Sequence, residues 1–552
     1  MIEDRDYDIV IVGSGAGGGT VAQEISVLAR NGLRILVVEQ GARFHEEEFT
    51  GRELEMANAL YEDGGGFLTA DGTMTLAFGR AYGGSTVVYT GTSLIAPKRV
   101  IDRWRVPGLT HDDLTLRSRK YMVQNGVREL PPELINDNNR LFVEGCQKNG
   151  WNARQFPLNL NGCRGSGLCN LGCPNAAKQG THRVQLPNAE ANGVEVVTRA
   201  EALEISDHTL TVQVRAKQPN EKGGESEWNP GVYRIHAQMI VLAGGAVGTS
   251  ALILRSPISR AIPHVGAHFT CHPALILVAE HPRAITNDVG HPKSYYLDCA
   301  ESEGFVLETC MYFPFVTAKS LTGFGAAHSQ FMRAFPRLQM ILLLACDRVT
   351  AKNRITVNSA GKAVVHYTFK PETVEAMVRG TRAATRIFFA AGAERVHAPL
   401  ANPSTIERRD AERADALIDA RHFLPGRVSV SAAHLMGGCS MGQPHSAVTD
   451  SYGRVHGMPW LRVADSSLFP DSLEINPYLT IMALADRVAE GILRDAGSAL
   501  GTGDTGTGDK GNQTRWDAFV ARVASRGVPL SLVPCPLVPS YCTAGGVFLG
   551  SF

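Results

Sequence analysis

Tyr7 to Glu39 reads YDIVIVGSGAGGGTVAQEISVLARNGLRILVVE, and this stretch decides the fold. An apolar run, Tyr7 to Val12, leads into Gly13-Ser14-Gly15-Ala16-Gly17-Gly18. A helical pattern follows, and a second apolar run, Ile35 to Val38, ends at Glu39 and Gln40. Strand, glycine turn, helix and strand in that order make a βαβ unit with a dinucleotide fingerprint. The glycines permit a tight turn and let backbone N–H groups approach a pyrophosphate at the helix N-terminus. Glu39 follows the last glycine by about 20 residues, where a carboxylate accepts from the hydroxyls of an adenosine ribose. A 2′-phosphate would be repelled there, which disfavours NADP.

A second glycine-rich loop, Gly79-Arg80-Ala81-Tyr82-Gly83-Gly84-Ser85-Thr86, continues through Tyr89 and Thr90 to Gly91. It is too far along to belong to the first turn. A nicotinamide-dependent Rossmann enzyme does not require it, whereas extended FAD needs further backbone around its pyrophosphate and ribityl chain. Three more blocks follow. Val241 to Ser256, with Ala243 and Gly244, reads as a strand entering a helix. His434-Leu435-Met436-Gly437-Gly438-Cys439 is the next. The last runs from Tyr452 to Pro470, carrying Asp465 and Ser466, and resumes at Asn476-Pro477-Tyr478 through Arg487.

These five ordered blocks, spanning Asp8 to about Leu493, resemble the glucose–methanol–choline (GMC) oxidoreductases, nearest the cholesterol-oxidase and long-chain-alcohol-oxidase branches. The second loop follows the family pattern GRxxGGSSxxN through Ser85, with Thr86 for the second Ser and Tyr89 for the usual Asn. Ser250 replaces a usual Pro. The resemblance implies an α/β fold. A Rossmann-like FAD-binding domain is expected from residues 1–100, 180–265 and 430–496. An α+β substrate domain on an antiparallel sheet is expected from 101–179 and 266–429.

It also implies FAD as cofactor, held by the glycine loops, by a backbone contact at Ala202, by Asp465 at the start of a short helix, and by residues 476–478. The implied reaction is oxidation of an alcohol to a carbonyl, by oxygen or an external electron acceptor. His434 is then the base and Asn476 the hydrogen-bond partner of the developing alkoxide. His272, in Cys271-His272-Pro273, is assigned a structural place at the edge of the substrate domain. A sugar or polyol dehydrogenase is the alternative within the family. A lyase or light-driven decarboxylase retaining FAD is the alternative outside redox chemistry.

Simple chemistry bears on the base. An alcohol's pKa is near that of water, ~15.7, and imidazole's is ~6.5. Proton removal by histidine is therefore uphill unless it accompanies hydride departure or a donor holds the alkoxide.

At 552 residues, with 57 glycines gathered in the cofactor loops, two intertwined domains are expected. Lys+Arg and Asp+Glu both number 54, so no electrostatic argument points to nucleic acid or an anionic membrane. Met1 to Asp6 is charged and leads straight into a strand, which predicts no signal peptide and a cytoplasmic location. Of eleven cysteines, Cys163, Cys169 and Cys173 cluster, but at spacings of five and then three. Ferredoxin clusters use two and two, and zinc favours paired C-x-x-C, so no metal is expected. Cys439 reads as a small packing residue.

From Gly266 to about Pro425 the pattern becomes alternating and aromatic, including Met311, Tyr312, Phe313, Phe315 and Phe324. Aromatics are more often core than pocket. So many with few interspersed charges nonetheless imply an apolar cavity and a bulky apolar substrate. Residues 221–230 read as a polar hairpin tip. The tail comprises a Gly/Thr/Asp linker at 497–513, one amphipathic helix at 514–526 and an apolar stretch at 528–552. Its four prolines, from Pro529 to Pro539, forbid a transmembrane helix.

Overall fold

The computed structural model describes residues 2–287, 289–398, 405–423 and 427–498. The expected linker, amphipathic helix and apolar tail lie outside the described residues, apart from the last helical positions before 499. Two sheets organise the rest.

The first grows from the opening motif. The strand Ile2–Val12 runs parallel to Ile35–Val38 on one side and to Gly231–Leu242 on the other. Glu195–Val197 extends one edge and Met458–Val463 the other, both in parallel. Ile9 to Val12 and Ile35 to Val38 are buried throughout. Helices cover both faces of such a sheet, so its strands read as continuous apolar runs. The helix Ala16–Arg30 follows the glycine turn, and Tyr478–Ser498 packs beside it. An antiparallel wing, Ala200–Ser206 with Thr209–Val214, carries Ala202. The polar segment after that wing is more than a hairpin tip. Glu221 pairs with Arg199, and Glu227 accepts from the Thr198 N–H and hydroxyl, closing the segment back onto the sheet.

The second sheet is antiparallel along most of its length. Ala274–Glu280, Leu338–Ala345, Phe305–Thr309 and Tyr295–Cys299 lie side by side in that order. Met74–Leu76 and Val430–Ala432 join its edge, so two segments flanking the cofactor blocks in sequence cross into this sheet.

Here the expected alternation gives way to unbroken apolar runs, ALILVAE and LQMILLLA, buried at every position. The reason is that both faces are covered. Leu275, Leu277, Ile341 and Leu343 share one core with Ile387 and Phe388 of the helix Pro371–Ala390. Their neighbours Ala274, Ile276, Leu342 and Leu344 face a cavity. Among the described residues no helix is long and apolar enough to cross a membrane.

Candidate functional site: a cofactor cradle opening into an apolar chamber

One cavity of about 930 Å³ lies between the two sheets. Glu39, Gln40 and Ala202 line it at the first sheet; His434 and Asn476 line it near the second. Of the residues named from sequence as cofactor contacts, all lie on its wall except Gly18 and Gly83, which stand behind it.

The cradle is made of backbone. Gly13 has φ +99°, and a Cβ there would lie 2.4 Å from the Ala243 carbonyl oxygen. At Gly17 a Cβ would lie 1.6 Å from the Ala464 carbonyl oxygen. These glycines let the first turn pack against the ends of two neighbouring strands. The two glycine loops also meet, since a Cβ on Gly84 would lie 2.7 Å from Gly15 Cα. By contrast, a Cβ on Gly245 or Gly248 meets nothing within 4 Å, so those positions present bare backbone to open space. A backbone-walled groove at a helix N-terminus suits a pyrophosphate.

Ser14 ties the loops together. Its hydroxyl donates to Glu39 Oε2 at 2.5 Å and accepts from the Gly83 N–H at 2.9 Å. Thr181, absent from the sequence assignment, donates to the Ser14 carbonyl oxygen and stands 3.0 Å from the Thr86 hydroxyl. Nothing in its local sequence marks it, because its partners are more than 90 positions away.

Glu39 is buried and accepts from Ser14 and from the Gly41 N–H at 2.8 Å. Burial pushes its carboxyl above the usual range. Asp465 does open a short helix, Ser466–Leu468, accepting from the Ser467 N–H at 2.8 Å. Its other oxygen accepts from the Gly245 N–H at 2.9 Å and the Thr249 hydroxyl.

The chemistry-bearing side chains gather at the far end. Asn476 Nδ2 stands 3.4 Å from His434 Nε2. His434 leaves the end of Val430–Ala432, and its loop is anchored by three backbone bonds of 2.9 Å, from Gly437, Cys439 and Met441 to the 466–468 segment. Gly437 and Gly438 adopt positive φ where a Cβ would meet His268 O or Ser250 Oγ within 2.2 Å. Cys439 is fully buried and its thiol is pushed up to about 12, in keeping with a packing residue.

Burial, then the nearby Lys293 ammonium, lowers His434 to about 3, so the ring is neutral at pH 7. Lys293 pairs with Glu308 in a buried ion pair on the chamber side. His272, expected to be structural, lies directly against His434, with Nδ1 to Nδ1 at 3.0 Å.

Tyr89, in place of the family's Asn, meets Tyr478 edge-on at 4.8 Å, and its hydroxyl accepts from Asn159. Beyond it, Met311, Tyr312, Phe313 and Phe315 line the chamber, whereas Phe305 and Phe331 are core and Phe324 is exposed. The aromatic stretch thus divides among all three environments. Cys163, Cys169 and Cys173 are free thiols. The Cys169 carbonyl oxygen helps Val87 and Tyr89 cap the buried Lys178 ammonium.

Comparison with known proteins gives this geometry its family. The N-terminal model of the GMC oxidoreductases matches residues 57–274 and the C-terminal model matches 349–485. An uncharacterized GMC-type oxidoreductase of Mycobacterium tuberculosis is 32% identical over 498 residues, covering 88% of this chain and 75% of that one. A long-chain-alcohol oxidase of Arabidopsis thaliana is 25% identical over 532 residues, covering 89% and 68%. The formate oxidase of Aspergillus oryzae, in a structure concerned with FAD modification, superposes with a TM-score of 0.64 at 14% identity. It covers 90% of this chain and 99% of its own. The chain belongs to the GMC oxidoreductase family and is an FAD-dependent oxidoreductase.

Proposed function

We propose that the protein oxidises a bulky apolar alcohol to its carbonyl. His434 takes the hydroxyl proton and Asn476 donates to the developing alkoxide. The observation that carries this reading is the His434–Asn476 pair, 3.4 Å apart, on the wall where the glycine cradle meets an apolar chamber.

Bound FAD supplies the hydride acceptor. The Gly13–Gly18 turn, the Gly79–Gly91 loop, Gly244 and the Asp465 segment would hold it, and Glu39 stands where the adenosine ribose is expected. In this reading residues 1–100, 180–265 and 430–496 form the FAD-binding domain, and 101–179 with 266–429 the substrate domain.

The chain's own residues do the rest. Neutral His434 can accept a proton at pH 7, but its lowered pKa makes it a weak base. Proton transfer must therefore accompany hydride departure. Asn476 is an uncharged donor, and a preorganised donor in a dry site favours a growing negative charge. It leads, through Pro477, into the N-terminus of the helix Tyr478–Ser498, and that end carries partial positive charge.

The preference for an apolar substrate rests on the lining. Ile276, Leu342, Leu344, Met311 and Phe313 give the chamber an apolar face, while each unpaired ring hydroxyl of a sugar would cost ~1–3 kcal/mol. The long-chain-alcohol oxidase among the relatives supports the same choice.

Anaerobic mixing with a sterol, a long-chain alcohol, an aryl alcohol and glucose, followed by flavin bleaching, tests the substrate class. Bleaching by glucose alone would overturn it. His434→Ala should slow bleaching by ~10²–10⁴-fold at unchanged FAD content. Wild-type rates in that variant would remove His434 from its role.

A further inference from the structure

The ring behind His434 is held with more care than a packing histidine needs. Thr270 and Met436 exchange backbone hydrogen bonds of 2.9 Å in each direction. Four residues along, Ala274 pairs with Ser431, one residue out of step with that bridge, so the irregular stretch between the two pairings brings positions 272 and 434 together. The two imidazoles meet edge to face at 90°, Nδ1 to Nδ1 at 3.0 Å.

His272 Nε2 has two partners of its own. The Glu474 backbone nitrogen lies 3.2 Å from it, and the Ser472 hydroxyl stands 3.1 Å away. Glu474 is a non-glycine residue at φ +68°, a strained conformation that persists only where its surroundings enforce it. Arg99 and Arg103 grip its carboxylate and hold the segment in place. Both histidines are lowered to about 3 and are neutral at pH 7, so each carries one ring proton.

One proton must occupy the bond between the rings, and its direction fixes both tautomers. If His272 Nε2 accepts from Glu474, His272 carries its proton on Nδ1 and donates to His434. His434 then bears its proton on Nε2 and shows the cavity a donor. If His272 Nε2–H instead donates to Ser472 Oγ, His272 Nδ1 accepts from His434 Nδ1–H. His434 then shows the cavity a lone pair, the form a base requires.

We propose that His272 is a positioning residue for His434. It fixes the ring's orientation and, through Ser472 and the Glu474 N–H, decides which His434 nitrogen is free to take the substrate proton. This rests on the reading of His434 as the base. On turnover the pair gains one proton: the substrate O–H bond breaks, an N–H bond forms at His434 Nε2, and the resulting positive charge is shared across the 3.0 Å bond between the rings.

Three variants test it, each scored for anaerobic flavin reduction, FAD content and melting temperature. His272→Leu should reduce flavin ~10–10²-fold more slowly, by analogy with the loss of a group that orients a metal-ligating histidine. His272→Gln has an amide that can donate to or accept from His434 Nδ1, and should recover to within a few-fold of the parent. Ser472→Ala is a small change that removes the acceptor for the lone-pair form. It should slow reduction several-fold, with FAD content and melting temperature unchanged.

Parent rates in both His272→Leu and Ser472→Ala would overturn the proposal. So would a His272→Gln rate as low as that of His272→Leu, since only bulk would then matter. If His272→Leu does not fold, Ser472→Ala and His272→Gln decide alone: Ser472→Ala at the parent rate overturns the proposal, and slowing there with recovery in His272→Gln supports it. His434→Ala serves as the control for the underlying reading. If it retains parent rates, that reading fails; if it is slow while Ser472→Ala and His272→Leu are not, only the positioning role fails.

Discussion

The cradle and the histidine corner share one cavity and are built from opposite materials. The cradle is backbone: Gly13, Gly17 and Gly84 are close approaches that a single methyl would obstruct, and their meaning lies within short stretches of chain. The corner is side chains: His272, Lys293, Glu308, His434 and Asn476 come from segments as far apart as 272 and 476 and meet only through the antiparallel sheet and its loops. Damage should therefore differ in kind. Altered shape breaks the cradle, and altered charge or proton placement breaks the corner.

The largest effect is expected at Gly17→Ala. Its methyl would press 1.6 Å from the Ala464 carbonyl oxygen, beyond the ~1–3 kcal/mol of ordinary overpacking. Purified variant should be poorly folded and colourless. A yellow, stable preparation would mean that the turn and the Ala464 strand end are not in fixed contact.

Acidification should strike the corner next. His272 and His434 are lowered to about 3 and His291 to about 4, whereas unfolded histidines titrate near ~6.5. Below that pH the unfolded state binds more protons than the folded one, so stability falls as pH drops from about 6.5 toward 4. Each histidine adds up to ~1.4 kcal/mol per pH unit. Melting temperature followed from pH 7 to 4.5 should fall steeply. A flat profile would show these rings to be solvated.

Asn476→Asp keeps shape and inverts character, placing a carboxylate where the proposed mechanism puts the developing negative charge. Flavin reduction should slow by ~10²–10³-fold, the worth of one alkoxide-stabilising donor. Substrate affinity should change less; a variant that lost affinity alone would remove the alkoxide role. Smallest should be Gly15→Ala, whose Cβ meets only Gly84 Cα at 3.8 Å. The fold should survive with weakened FAD binding, measurable by flavin titration. Collapse equal to that of Gly17→Ala would erase the distinction between packing and ligand-facing glycines.

Much of the fold was legible because its signals are local. A βαβ unit announces itself by period, glycine spacing and a closing acid within 33 consecutive residues, Tyr7 to Glu39. Ser14, Glu39, Asp465, His434 and Asn476 stood out the same way, as members of contiguous blocks, and all lie on one cavity wall. The second sheet read less well. Burial on both faces replaced the expected alternation in Ala274–Glu280 and Leu338–Ala345 with continuous apolar runs. The aromatic stretch mixed core, cavity and exposed positions that only packing separates.

The sequence by itself determined the parallel sheet, the backbone cradle and the order of the blocks, since each depends on short-range steric rules for glycine and on apolar periodicity. Only the tertiary structure decided what His272 touches. Cys271-His272-Pro273 carries no local sign of a partner 162 positions away. The contact follows from the register that pairs Thr270 with Met436 and from the strained turn at Glu474. Register and long-range strain are properties of the assembled chain, because they arise from matching two distant segments rather than from either one.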